Sequence, residues 1–195
     1  MPDPGLAERI EAHLAIQQLP IRYALAVDAR DIDAWVNCFR PDVDMGRHGQ
    51  GREVLRRYIE PMVRRFYRSV HLICGHRIEL DSQNPDRATG AVYCRAEHEV
   101  VGEWIVMAIC YFDEYARVDG EWFFSRRKER HWYAADVTRT PQSAGFAGWT
   151  GSAQPALPGE FGSWAKFWGD APEAVAPLTT APAHPVKPAD SGAQR

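Results

Sequence analysis

The stretch Ala91-Val92-Tyr93-Cys94-Arg95-Ala96-Glu97-His98-Glu99-Val100-Val101 decides the fold. Its period is two. Val92, Cys94, Ala96, His98 and Val100 fall on one face, and Tyr93, Arg95, Glu97 and Glu99 on the other, the pattern of an antiparallel strand with one side on a core. Outward from it, runs near 69–73, 76–81, 88–101, 104–118 and 121–135 read as strands separated by Asp81–Asp86, Gly102 and Asp119-Gly120. The last dipeptide is a tight hairpin signal. Upstream the period becomes helical. Residues 5–18 read as one helix, and Pro20 opens a second that ends near Val27, because a first-turn proline loses no intrahelical bond. Asp31 is placed to cap a short helix through Phe39, closed before Pro41. Arg52–Phe66 is helical in pattern, with Pro61 expected to kink or split it. Helices followed by an antiparallel meander predict an α+β domain, with one sheet face on the helices and a pocket between them.

Two polar groups interrupt apolar faces. His98 is one. The other is Asp28, which follows Ile21 and Leu25 at i, i+4 and i+7 and so joins the stripe expected to face the core. A buried carboxylate needs a partner to stay ionised, and imidazole is the partner that also moves a proton near neutral pH. With a third separated residue, His71, these point to an acid/base site in an apolar pocket.

The 195 residues, 45% of them apolar, suffice for one domain with a substantial core plus an appendage. No run of about 18 apolar residues is present, so no membrane span is expected. Met1-Pro-Asp-Pro-Gly-Leu6 has neither the basic start nor the apolar stretch of a secretion signal, which leads to the expectation of a cytoplasmic protein. A net charge of −3 gives no bias toward nucleic acid. Cys38, Cys74, Cys94 and Cys110 lack CxxC spacing and sit in apolar surroundings, as reduced core thiols do. There is no GxGxxG, P-loop or HExxH, so neither cofactor nor metal is expected, although two histidines and a carboxylate form a known zinc set. After about Asp136 the composition turns to Pro, Gly, Ala, Ser and Thr. We therefore divide the chain into a domain at 1–136, an ordered extension at 137–176 carrying Trp149 and the aromatic island Phe161, Trp164, Phe167 and Trp168, and a flexible tail at 177–195.

Three segments carry a family resemblance: Arg22-Tyr-Ala-Leu-Ala-Val-Asp28-Ala-Arg-Asp-Ile-Asp33, His71-Leu-Ile-Cys-Gly-His-Arg-Ile78, and Asp113-Glu-Tyr-Ala-Arg-Val-Asp-Gly-Glu-Trp-Phe-Phe124. In order and spacing they resemble a SnoaL-like domain of the nuclear-transport-factor-2-like (NTF2-like) superfamily, over roughly residues 8–136. The resemblance implies a cone, a curved antiparallel sheet wrapped around N-terminal helices with an internal apolar pocket. It also implies a homodimer or homotrimer acting on a small molecule. Among superfamily members the chain is most similar to scytalone dehydratase and hexachlorocyclohexane dehydrochlorinase, whose aspartate–histidine dyad matches Asp28 and His71. His98 matches the second histidine of scytalone dehydratase. Where that dehydratase has a water-binding tyrosine this chain has Arg47, and Tyr111 replaces a pocket asparagine, so the implied substrate is not scytalone.

By this resemblance Asp28 orients His71 as a base, His98 or Tyr111 donates to a leaving hydroxyl or an oxyanion, and Arg47 holds a substrate oxygen. Tyr23, five residues before Asp28, stands as the oxyanion-hole tyrosine of ketosteroid isomerase does. Arg127, Glu129 and His131 share a face with Phe123 and Tyr133 and are expected near the pocket mouth. Each residue also has a structural reading: Asp28 paired with Arg30, His71 and His98 as satisfied core histidines, His76 beside Ile78 and Leu80 as a packing residue, and 126–131 as a solvated edge or subunit contact. The expected function is a cofactor-independent lyase of the dehydratase type acting on a small aromatic or apolar oxygenated molecule. The alternatives are a formaldehyde-releasing lyase of lignin-type aryl propanoids, a ketosteroid-isomerase-like isomerase, and a non-catalytic ligand-binding domain.

Overall fold

In the computed structural model, which describes residues 5–100 and 103–136, the first element is one helix where two were predicted. α1 (Leu6–Ala29) runs unbroken through Pro20. An interior proline costs a helix about 3 kcal/mol. Here Ile16, Leu19 and Pro20 are fully buried, and their packing offsets that cost. The buried stripe is Ile16, Pro20, Tyr23 and Val27, at i, i+4, i+7 and i+11. This corrects the predicted one. Ile21 and Leu25 are exposed, at 39% and 66%, and Asp28 lies on the flank between the two stripes.

α1 ends on Arg30, whose φ of 63° is left-handed and unusual for a side chain of this size. The guanidinium holds it there. Nη1 donates to Val27 O and Ser69 Oγ, and Nη2 to Phe66 O and Tyr67 O. Asp31 Oδ1 then accepts from Ala34 N at 2.8 Å and caps α2 (Ile32–Asn37), as predicted. A short 3₁₀ turn, Gly46–His48, leads to α3 (Arg52–Val63), which ends two residues past Pro61.

Four strands form an open, curved antiparallel sheet in the order β1 (Ser69–Leu80), β2 (Arg87–Val100), β3 (Glu103–Val118) and β4 (Glu121–Asp136). The predicted strands at 69–73 and 76–81 are a single strand with a bulge at Cys74. The bulge brings His76, Ile78 and Leu80 to the inner face, and Cys74 within it is exposed while Cys38, Cys94 and Cys110 are buried free thiols. β3 and β4 meet at Asp119-Gly120, both at positive φ (52° and 86°), as a type I′ hairpin requires. The β2–β3 connection at 101–102 and the predicted segments 137–176 and 177–195 lie outside the described residues.

β4 carries two more bulges, at Ser125 and Trp132. They decide which side chains point inward. Strict alternation puts Phe123 and Tyr133 on the face of Arg127, Glu129 and His131. With one extra residue at each bulge the inward set is instead Phe124, Arg127, Glu129, His131 and Ala134. α1 packs across β1 and β4. The helices bury Trp35, Phe39, Leu55 and Phe124 in one cluster, and Val92, Ala96, Met107 and Ile109 form a second on the sheet, with the candidate site along their border.

Candidate active site

Asp28 sits in the last turn of α1, where the negative end of the helix dipole disfavours a carboxylate. Three donors from β1 compensate. Ser69 Oγ donates to Oδ1 at 2.7 Å, the His71 backbone N–H donates to Oδ2 at 2.8 Å, and His71 Nδ1 lies 2.7 Å from Oδ1. Burial alone pushes the carboxyl group up, but these bonds outweigh it and hold Asp28 below its ordinary range. An ionised Asp28 makes Nδ1 the protonated ring nitrogen, which leaves the Nε2 lone pair as the base. The imidazole is only 7% accessible, so little water competes for that lone pair.

His98 stands edge-on to His71, ring centroids 5.2 Å apart, and edge-on to Phe66 at 4.5 Å. Burial first, and His71 second, lower it to about 4. At neutral pH it is a neutral imidazole that serves as a hydrogen-bonding group rather than as an acid carrying a full charge.

His71 and His98 line one cavity together with Tyr23, Val27, Ile59, Met62, Val63, Phe66, Met107, Ile109, Tyr111 and Glu129. Its free volume is about 60 Å³. That holds a few waters, whereas drug-sized ligands occupy some 300 Å³ or more; Met62, an unbranched and adaptable side chain, lines it. Tyr111 is buried and its phenol is pushed far up by desolvation, so it remains a hydroxyl donor. Tyr23 is raised for the same reason. A wider groove of about 690 Å³, lined by Arg30, Val63, Arg64 and Tyr67 among others, does not include the dyad.

Of the predicted site residues, the fold brings His71, His98, Tyr23 and Tyr111 to this cavity, with Asp28 behind His71. Arg47 is elsewhere: it is exposed in the 3₁₀ turn, its Nε 3.4 Å from His48 Nε2. Arg127, expected at the mouth, lies behind the wall. Its guanidinium forms two bonds to Asp113 (2.8 and 2.7 Å) and sits 4.4, 4.1 and 4.1 Å from the ring centroids of Tyr23, Tyr111 and Phe124. Burial alone lowers an arginine, but Asp113 reverses this and keeps it charged. The network continues. Tyr115 donates to Asp113 Oδ2 at 2.9 Å, and His76 Nε2 lies 2.8 Å from the Tyr115 hydroxyl. Gly90 makes room for it, since a Cβ there falls 2.6 Å from Arg77 O and 3.1 Å from the Tyr115 ring. His76 is thus structural, as its sequence position suggested.

His131 is buried behind Glu129, Nε2 to Oε1 2.7 Å. Glu129, which strand alternation grouped with Arg127 and His131 near the mouth but to which no site role was given, lines the cavity itself. It faces inward from β4 opposite Tyr111. The available signal was its place between Arg127 and His131 in an alternating run, but that run reads equally well as a solvated edge. Among the described residues no cluster of three or more His, Cys, Asp or Glu is arranged to hold a metal ion.

Comparison with known proteins agrees with this fold. The family described as SnoaL-like domain matches residues 8–128. The hexachlorocyclohexane dehydrochlorinase LinA-type3 of Novosphingobium barchaimii superposes with a TM-score of 0.59 at 22% identity, over 69% of this chain and 96% of that one. A candidate scytalone dehydratase of Novosphingobium aromaticivorans gives 0.58 at 20%, over 69% and 93%. A single-substitution form of a Mycobacterium tuberculosis protein of unknown function gives 0.56 at 27%, over 66% and 76%. At such identities the first two speak for the fold. No protein of curated function matches the chain.

Proposed function

Since the chain belongs to the SnoaL-like domain family, we propose that it is a cofactor-independent lyase that eliminates water from a small aromatic or largely apolar oxygenated molecule. The observation that carries this reading is the 2.7 Å Asp28–His71 contact at the edge of an apolar cavity. The similarity to a dehydrochlorinase and a candidate dehydratase supports the same class.

His71 Nε2 takes the proton on the carbon next to the leaving group. The C–H electron pair becomes the new double bond, the C–O bond breaks, and the oxygen departs with its pair. Asp28 stabilises the imidazolium, which returns the proton to the leaving oxygen, so water is released and His71 regenerated. Tyr111 and neutral His98 offer donors to the developing negative charge. General acid–base assistance of this kind is worth about 10²–10⁴-fold per group. The remainder falls to positioning by walls such as Val27, Phe66, Met107 and Ile109.

The test is a panel of β-hydroxy carbonyl and benzylic alcohol substrates assayed with the intact protein, with and without chelator. Dehydrated product that forms in the presence of chelator, and disappears in His71→Ala, is the expected result. Formaldehyde in place of water would move the activity to the C–C lyases, which need the same base. Activity restored only by added metal would overturn the cofactor-free mechanism.

A further inference from the structure

Glu129 is unused by the mechanism above, yet it lies in the same cavity. Its carboxylate meets His131 through Oε1 alone. Oε2 has no hydrogen-bond partner among the described residues, and the side chain, which lines the cavity, is 38% accessible. Desolvation pushes this carboxyl group up, but the His131 bond more than compensates and holds it below the ordinary glutamate range. An ionised carboxylate only accepts hydrogen bonds. Tyr111 opposite it, Tyr23 and His98 are neutral donors, and apart from His71 the remaining walls are apolar.

We infer that Glu129 is a specificity-determining residue that accepts a hydrogen bond from a hydroxyl on the ligand, and that the ligand is a hydroxyaryl compound whose ring lies between Glu129 and the Asp28–His71 dyad. The open oxygen asks for a donor, and the aromatic and aliphatic walls (Tyr23, Phe66, Met107, Ile109, Tyr111) ask for a ring. A neutral hydroxyl fits better than an ammonium group. When His71 becomes imidazolium during proton transfer, a second positive charge in this small cavity would oppose it. A phenol hydrogen-bonded to a carboxylate instead gains electron density in its ring, which assists the departure of a group at a benzylic carbon. The bond leaves the proton count unchanged, because the phenol keeps its proton. This substrate assignment rests on the lyase reading, but the binding role of Glu129 does not.

The experiment measures calorimetric affinity of the full-length protein for 4-ethylphenol and for its methyl ether, 4-ethylanisole, which has the same ring but no donor. A hydrogen bond to a charged acceptor is worth about 10- to 100-fold in affinity, so wild type should prefer the phenol by that factor. In Glu129→Gln, which keeps the shape, and in Glu129→Ala the preference should fall to within a few-fold, with the ether bound as well as before. Equal affinity of wild type for the two ligands overturns the inference without any variant, and so does a preference that survives both substitutions. Repeating the pair in His71→Ala separates the two readings. A phenol preference retained there, alongside a wild type that eliminates nothing, sinks the lyase and keeps the Glu129 site. Elimination without the preference does the reverse.

Discussion

The inner side of the sheet holds two carboxylate-centred clusters, one around Asp113 and one at the cavity, and they are finished differently. At Asp113 the two partners are sealed: Arg127 is 4% and Asp113 0% accessible, each carboxylate oxygen accepts from the guanidinium, and three rings pack around that guanidinium. At the cavity the Asp28–His71 and Glu129–His131 pairs each leave one atom open, the Nε2 lone pair and Oε2. A pair sealed from solvent whose two carboxylate oxygens are both matched has no acceptor to offer a ligand and serves as structure. One with a spare acceptor in an apolar cavity can bind or react.

The sharpest way to break this comparison is to remove one member of each cluster and see which property falls. His71→Ala, or Asp28→Asn, should lower turnover by about 10³–10⁴-fold while the thermal transition stays near that of wild type. The double variant should be no worse than either single, because the two act as a unit. Steady-state kinetics beside calorimetry checks both halves. Asp113→Asn should do the opposite, destabilising the fold by about 3–5 kcal/mol as a buried guanidinium loses its countercharge. If denaturant unfolding of Asp113→Asn shows wild-type stability, the sealed cluster is not structural.

His98 sharpens the comparison through pH. It takes up a proton below its ordinary value of 6.5 when unfolded, but only below about 4 when folded. The unfolded state therefore binds more protons between those values, and the stability that a neutral His98 gives at pH 7 is lost as pH falls from 6.5 through 4. The loss amounts to about 3 kcal/mol. His98→Phe should flatten that part of the stability–pH curve, measured by urea unfolding at several pH values. The smallest effect expected is that of Ser69→Ala. Losing one of the three bonds that steady Asp28 should cost about 1 kcal/mol and a few-fold in kcat, with KM unchanged.

What the sequence made legible follows from the range of the interactions involved. The face of β2 that carries Val92, Cys94, Ala96 and His98 is set by local alternation, and it is buried as read. The Asp119-Gly120 hairpin and the Asp31 cap are set by single residues with strong backbone preferences. Asp28 and His71 were legible through family resemblance rather than periodicity, since the stripe of Ile21 and Leu25 faces outward. The bulges at Cys74, Ser125 and Trp132 were not legible. A bulge depends on how a strand fits its neighbours and the helices beneath, which no local pattern encodes. Arg127 and Glu129 carried that uncertainty with them: both were expected at the mouth, and one lies behind the wall while the other lies in the cavity.

Arg30 has a consequence beyond ending a helix. Asp28 and His71 belong to different elements, forty-three positions apart in the chain, and proton transfer tolerates little misalignment between them. The guanidinium spans that gap, gripping Val27 just before Asp28 on one side and Phe66, Tyr67 and Ser69 just before His71 on the other. It acts as a brace across a joint. α1 cannot slide along β1 by even an ångström or two without straining four bonds of one rigid planar group, a stiffness that a lysine, with its single rotatable head, does not provide.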